Sequence, residues 1–93
     1  MRLMANSRAA DGVDPGRLKD FFEESGFSSP GWDLVRHRIV TGYAMKTGEV
    51  PGVVLFMEVD SPEEAHDLLG TLPAVQQGLI TFELDPLGLS AGL

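Results

Sequence analysis

Apolar residues in this chain recur with two different periods, and the periods predict alternating strands and helices. Residues 53–59 (VVLFMEV) are almost continuously apolar and β-branched, which is typical of a buried strand. Residues 39–45 and 79–84 have a similar composition, and residues 2–7 form a weaker strand candidate. The pattern therefore predicts four short strands.

Helix starts are predicted between these strands by a capping residue followed by proline. Asp14-Pro15 and Ser61-Pro62 each place a side-chain acceptor directly before the first helical position, where proline is favoured. The first helix is expected to stop at Gly26, and a second Ser-Pro signal predicts a short helix over residues 30–37. The helix that begins after Ser61 is expected to end near Pro73.

The resulting order, β-α-(α)-β-β-α-β, predicts a ferredoxin-like α+β fold. With right-handed crossovers it forms a four-stranded antiparallel sheet with helices on one face. The length of 93 residues suits a single domain spanning residues 1–93. Strand 53–59 is apolar on both of its faces, so we expect a second copy of the chain to cover the helix-free face, sheet against sheet. The tail residues Leu87, Leu89 and Leu93 are expected to reach across this interface.

Composition and charge restrict the classes of partner. The net charge of −7 argues against nucleic acid and against an anionic membrane surface. The chain contains no cysteine, and His37 stands between two arginines, so no metal and no cofactor are predicted. Because the first residues carry no signal-peptide core and the apolar runs are too short to span a bilayer, a cytoplasmic location is expected.

Residues 56–73 resemble the muconolactone isomerase-like branch of the dimeric α/β-barrel proteins. The segment FMEVDSPEEAHDLLGTLP contains an aromatic residue, an acid, a capped helix, Glu-x-His, Leu-Leu and Leu-Pro in the order of that branch. Residues 78–88 are also similar to small bacterial relatives. The resemblance implies a ferredoxin-like subunit that pairs sheet to sheet, with a pocket for a small, often cyclic organic substrate. After Pro73 the chain reads AVQQ where muconolactone isomerases carry aromatic residues, so a different substrate is expected.

Glu58 is the leading candidate for chemistry, because it is a carboxylate inside an apolar strand. Proton transfer next to a carbonyl group requires a base and a hydrogen-bond donor for the developing enolate. We predict Glu58 as the base, with Tyr43, His66 or Glu83 assisting. The alternative is that Glu58 lies at the strand end, solvated or paired with an arginine of a partner subunit.

Substrate binding is predicted for residues with aromatic or polar side chains near the expected pocket. They are Trp32, His37, Phe56, Thr81 and Glu83. The aromatic members serve equally well as the core of a small domain, and Phe21 and Phe22 are interpreted as helix-face packing. Glu63 and His66 have the i,i+3 spacing of helical metal ligands, but the sequence has no second such pair.

These features predict a small homo-oligomeric enzyme that isomerises or cyclises a small hydrophobic organic intermediate. The reaction is expected to proceed by proton transfer without a cofactor, in catabolism or secondary metabolism. A non-catalytic small-molecule-binding or accessory protein is the alternative. A regulatory oligomer without a closed pocket and a cofactor-free oxygenase are further hypotheses.

Overall fold

The predicted alternation of strands and helices is present in the computed structural model, which describes residues 1–25 and 29–88. The strands are β1 (Arg2–Ala9), β2 (Val40–Lys46), β3 (Gly52–Glu58) and β4 (Ile80–Leu87). The helices are α1 (Pro15–Ser25), α2 (Ser29–Arg36), α3 (Pro62–Leu69) and α4 (Pro73–Gln76). The predicted stop at Gly26 and the tail residues Leu89 and Leu93 lie outside the described residues.

The strands form one antiparallel sheet in the order β2-β3-β1-β4. Strand β1 lies in the centre, paired with β3 on one side and β4 on the other, while β2 pairs with β3 alone. This order is that of a ferredoxin-like fold and confirms the predicted α+β class. It leaves β2 and β4 as the two edge strands.

One face of the sheet is buried beneath the helices. Leu55 and Met57 of β3 are fully buried and pack in one cluster with Leu34 of α2 and Leu69 of α3. A second cluster joins Leu18 of α1 to α4 and the start of β4. None of the helices within the described residues is long and apolar enough to cross a membrane.

Helix α3 begins where the sequence predicts and ends earlier. The Oγ atom of Ser61 accepts the N–H of Glu64 at 3.1 Å and caps the helix. The carboxylate of Glu64 accepts the N–H of Asp60, the residue before the cap, at 3.3 Å. The helix ends at Leu69, whereas the sequence predicts an end near Pro73. The reason is that Pro73 opens the separate helix α4, because proline is favoured in a first turn.

Strand β4 is longer than the sequence predicts. The expected end was Leu84, with a tail from Pro86, but the strand continues to Leu87 and places Pro86 opposite Leu3 of β1. Proline lacks the N–H that a central strand needs, and it is tolerated at an edge. Since β4 has a neighbour on one side only, Pro86 does not interrupt it.

The second face of the sheet has no helix over it among the described residues, and we call it the open sheet face. It carries Met4, Val54, Phe56 and Glu58, which the strand register places on the side opposite the buried Leu55. Phe56 is 37% exposed there.

Two ion pairs lie on the same face. They are Arg2–Glu58 at 2.8 Å and Arg8–Glu83 at 2.7 Å.

Candidate functional site

An apolar cavity lies between the buried face of the sheet and helices α1 and α4. It has a volume of about 290 Å³, and we call it the helix-side cavity. Its described lining residues are Phe21, Phe22, Tyr43, Met45, Val53, Leu55, Leu72, Pro73, Ala74, Ile80 and Phe82. Among them, Tyr43 is the one residue whose side chain carries an oxygen or nitrogen atom.

Helix α1 supplies aromatic walls because its apolar residues follow the helical repeat. Leu18 is fully buried and anchors the helix. Phe21 and Phe22 follow three and four residues later, so they project from the same side of the helix. Their rings meet edge to face, with centroids 5.7 Å apart.

A β-bulge in β2 turns the cavity residues of that strand toward the helices. The register with β3 shifts between Val40 and Gly42, so Thr41 is an extra residue in β2. Strict alternation from the buried Val40 would point Tyr43 to the open sheet face. The shift instead places Tyr43 opposite the buried Leu55.

Tyr43 lies at the rim of the cavity and contacts Trp32 of α2. The two rings are edge to face, with centroids 6.2 Å apart and an interplanar angle of 89°. Tyr43 is 47% exposed and Met45 is 49% exposed, which is consistent with their place on an edge strand. Tyr43 therefore lies at the boundary between the apolar lining and solvent.

Glu58 lies on the open sheet face, away from the helix-side cavity. The Nε atom of Arg2 donates to Oε1 of Glu58 at 2.8 Å, and the glutamate side chain is 41% exposed. This pairing matches the alternative in which the carboxylate is held by an arginine, although Arg2 belongs to the same chain. Within one protomer the sheet separates Glu58 from Tyr43.

The other predicted site residues do not line the cavity. Phe56, Thr81 and Glu83 share the open sheet face with Glu58, and the two histidines lie elsewhere. His66 is exposed on α3, and His37 is exposed just beyond the end of α2. Thr81 is exposed on β4, Glu83 pairs with Arg8, and Phe56 lies on the open sheet face. Of the predicted residues, Tyr43 lines the cavity, and Trp32 contacts Tyr43. The chemical roles of all these residues stay predictions.

Sequence reasoning missed most of the residues that line the cavity. The sequence pattern predicts packing roles for Phe21 and Phe22 and indicates no site role for Met45 or Phe82. An aromatic residue at helical spacing has the same signature in a filled core as in a cavity wall, so no sequence signal separates the two cases. Within the described residues, no cluster of acidic, histidine or cysteine side chains is arranged to hold a metal ion.

No protein-family model matches this sequence, and comparison with curated protein sequences finds no match. Among solved structures, the 5-chloro-2-hydroxyhydroquinone dehydrochlorinase of Burkholderia phenoliruptrix AC1100, in complex with 2,5-dihydroxybenzoquinone, is similar. The TM-score is 0.72 and the identity 17%, over 97% of this chain and 96% of that chain. At this identity the similarity supports the ferredoxin-like fold, and it does not confirm the muconolactone isomerase branch.

Proposed function

We propose that this chain binds a small, largely apolar organic molecule in the helix-side cavity and isomerises or cyclises it without a cofactor. The observation that supports the proposal is the cavity itself, about 290 Å³ of apolar and aromatic surface with one phenol at its rim. Small-molecule sites in proteins are mostly apolar and contain a few polar groups that orient the ligand. The modest volume restricts the ligand to a small molecule.

The similar solved structure supports the same function. That protein is named a dehydrochlorinase, and its structure contains 2,5-dihydroxybenzoquinone, a small cyclic molecule. A subunit with this arrangement of strands and helices is therefore compatible with an enzyme that acts on a small ring compound.

In the proposed reaction, Tyr43 donates a hydrogen bond to a carbonyl oxygen of the ligand. When a proton leaves the carbon beside that carbonyl, negative charge develops on the oxygen, and a phenol O–H stabilises it. Glu58, predicted as the base from the sequence, does not line the cavity, so in this proposal the proton passes to solvent at the half-exposed rim. Because Glu58 and Tyr43 lie on opposite faces of the sheet, mutation can test the two roles separately.

The test measures exchange of ligand protons with solvent. The protein is incubated in D₂O with 2-tetralone, a two-ring ketone with acidic C–H bonds, and deuterium uptake by the ligand is followed by mass spectrometry. We expect uptake above the buffer rate, and a loss of at least about tenfold of that excess in Tyr43→Phe, in line with the value of single oxyanion donors. We expect Glu58→Gln to retain it, because that carboxylate is remote from the cavity. A loss in Glu58→Gln alone would transfer the catalytic role to Glu58.

The second candidate function is binding without turnover. The composition of the cavity wall favours this function: of the described residues that line it, Tyr43 is the one with an ionisable side chain. The same experiment separates the two functions, provided that binding is measured in parallel by calorimetry. A ligand that binds but exchanges no faster than in buffer supports the binding protein. A ligand series that does not bind at all contradicts both.

We also propose that the chain forms a homodimer or a larger homo-oligomer through the open sheet face. The supporting observation is the exposure of Phe56, which is 37% accessible to solvent. Phe56 pairs with Met4 of β1 on the face that the described helices leave uncovered. Exposed apolar patches of this kind mark association surfaces.

Light scattering at micromolar concentration should give at least twice the monomer mass, and Phe56→Glu should give the monomer mass. Thr47→Glu, in the exposed β2–β3 loop, is the matched control. A wild-type monomer at this concentration would contradict the assembly.

A further inference from the structure

We infer that the ligand of the helix-side cavity is an uncharged, flat molecule about the size of two fused rings, and that the cavity rejects carboxylates. The inference rests on the proposed function, because it assumes that this cavity is the binding site. It goes further by naming the chemical class of the ligand.

The size follows from the cavity volume. An apolar cavity of about 150 Å³ in another protein stays dry and holds one benzene molecule. The helix-side cavity, at about 290 Å³, is roughly twice as large. Rings of Phe21, Phe22 and Phe82 form three of its walls. Flat aromatic walls favour a flat ligand, because offset and edge-to-face contacts then cover most of its surface.

The charge follows from the lining. No charged side chain is present among the described residues that form the cavity. Lys46 follows Met45 in β2 and is not among the lining residues. Its ammonium group donates a hydrogen bond to the carbonyl oxygen of Ser7 at 2.6 Å. A carboxylate entering the cavity would lose its hydration without gaining a cation. The net charge of −7 also repels anions at long range.

The polar end of the ligand is placed by Tyr43. Tyr43 is half exposed and is the one described lining residue with a side-chain oxygen, so one oxygen on the ligand is expected at the solvent end while the ring system fills the interior. A phenol both donates and accepts hydrogen bonds, so a hydroxyl or a carbonyl oxygen fits this position.

The test titrates the wild-type protein with three probes by isothermal calorimetry at neutral pH. The probes are 2-naphthol, 2-naphthoate, which differs by its carboxylate, and phenol, which differs by one ring. We expect 2-naphthol to bind at least about tenfold more tightly than either of the others, a difference of one decade in the dissociation constant.

Equal or tighter binding of 2-naphthoate would overturn the charge part of the inference, and equal binding of phenol would overturn the size part. In both cases the proposed binding function would still stand. If none of the three probes binds, the proposed function itself fails.

A variant pair at the rim tests the cause of the selectivity. Met45 is half exposed on an edge strand, so replacing it leaves the buried core intact. Met45→Lys places an ammonium group at the mouth and should strengthen 2-naphthoate binding at least about tenfold, whereas the uncharged control Met45→Gln should not. Circular dichroism confirms that both variants fold. A folded Met45→Lys protein that still rejects 2-naphthoate would overturn the charge argument.

Discussion

Replacing Gly52 by alanine tests how closely β1 and β3 approach each other at the start of β3. A Cβ atom at Gly52 would lie 2.5 Å from Oγ of Ser7 and 3.1 Å from Cδ of Lys46. Ser7 is buried, and its Oγ accepts the N–H of Val53 at 2.8 Å. A methyl group at Gly52 therefore displaces the Ser7 hydroxyl from the position that makes this hydrogen bond.

The expected loss of stability can be worked from these contacts. Rotating the Ser7 hydroxyl away would leave the Val53 N–H unsatisfied at a cost of about 1–3 kcal/mol. Keeping it in place would force an overlap of similar cost, about 1–3 kcal/mol. Alanine recovers about 0.5–1 kcal/mol over glycine in a strand. The midpoint cost of about 2 kcal/mol less this recovery leaves about 1 kcal/mol. We therefore expect Gly52→Ala to lower the free energy of unfolding by about 1 kcal/mol and Tm by on the order of 5 °C.

Urea unfolding at a fixed protein concentration, followed by the fluorescence of Trp32, measures this change. Gly48→Ala is the matched control in the same hairpin, because nothing lies within 4 Å of the added Cβ there. Ser7→Ala removes the clashing oxygen, so Gly52→Ala combined with Ser7→Ala should be less destabilised than the sum of the single variants. A Gly52→Ala protein within about 0.5 kcal/mol of wild type, or strict additivity in the double variant, would refute the reasoning.

Three further predictions concern local contacts. Ser61→Ala should lose about 1 kcal/mol of stability because Glu64 N–H loses its cap, and Ser61→Thr should retain most of it, both measured by thermal unfolding. Arg38 has a φ angle of 59°, so Arg38→Gly should stabilise the fold by roughly 0.5–1 kcal/mol in urea unfolding, with Arg38→Asn intermediate. Removing the exposed Arg2–Glu58 pair with Glu58→Gln should change the unfolding free energy by less than about 0.5 kcal/mol, and a larger loss would show that the pair is coupled to further contacts.

The fold could be predicted from the sequence where the signal is local. Ser61-Pro62 marks a helix start because the cap is made by residues within one turn, and the structure confirms it. The continuation of β4 through Pro86 could not be predicted in the same way. Whether a proline is tolerated in a strand depends on whether that strand is an edge, and strand order is a tertiary property.

The candidate site was predictable only in part, for two physical reasons. Strand β3 is apolar on both faces, so alternation shows that Phe56 and Glu58 share a side and does not show which side the helices cover. The orientation of Tyr43 depends on the extra residue Thr41, and a bulge is visible only once the partner strand is known. Tyr43 was predicted for its chemistry, and its position at the cavity came from the structure.

The place of β2 at the edge of the sheet has a kinetic consequence for the cavity. The strand that carries Tyr43 and Met45 is hydrogen-bonded to β3 alone, whereas β1 is held on both sides. Local opening of an edge strand costs less than global unfolding, so we expect β2 to open transiently more often than β1 and to widen the mouth of the cavity at Tyr43 and Met45. Ligand residence time would then follow the opening rate of this one strand, and amide hydrogen exchange along β2 would slow when the cavity is filled.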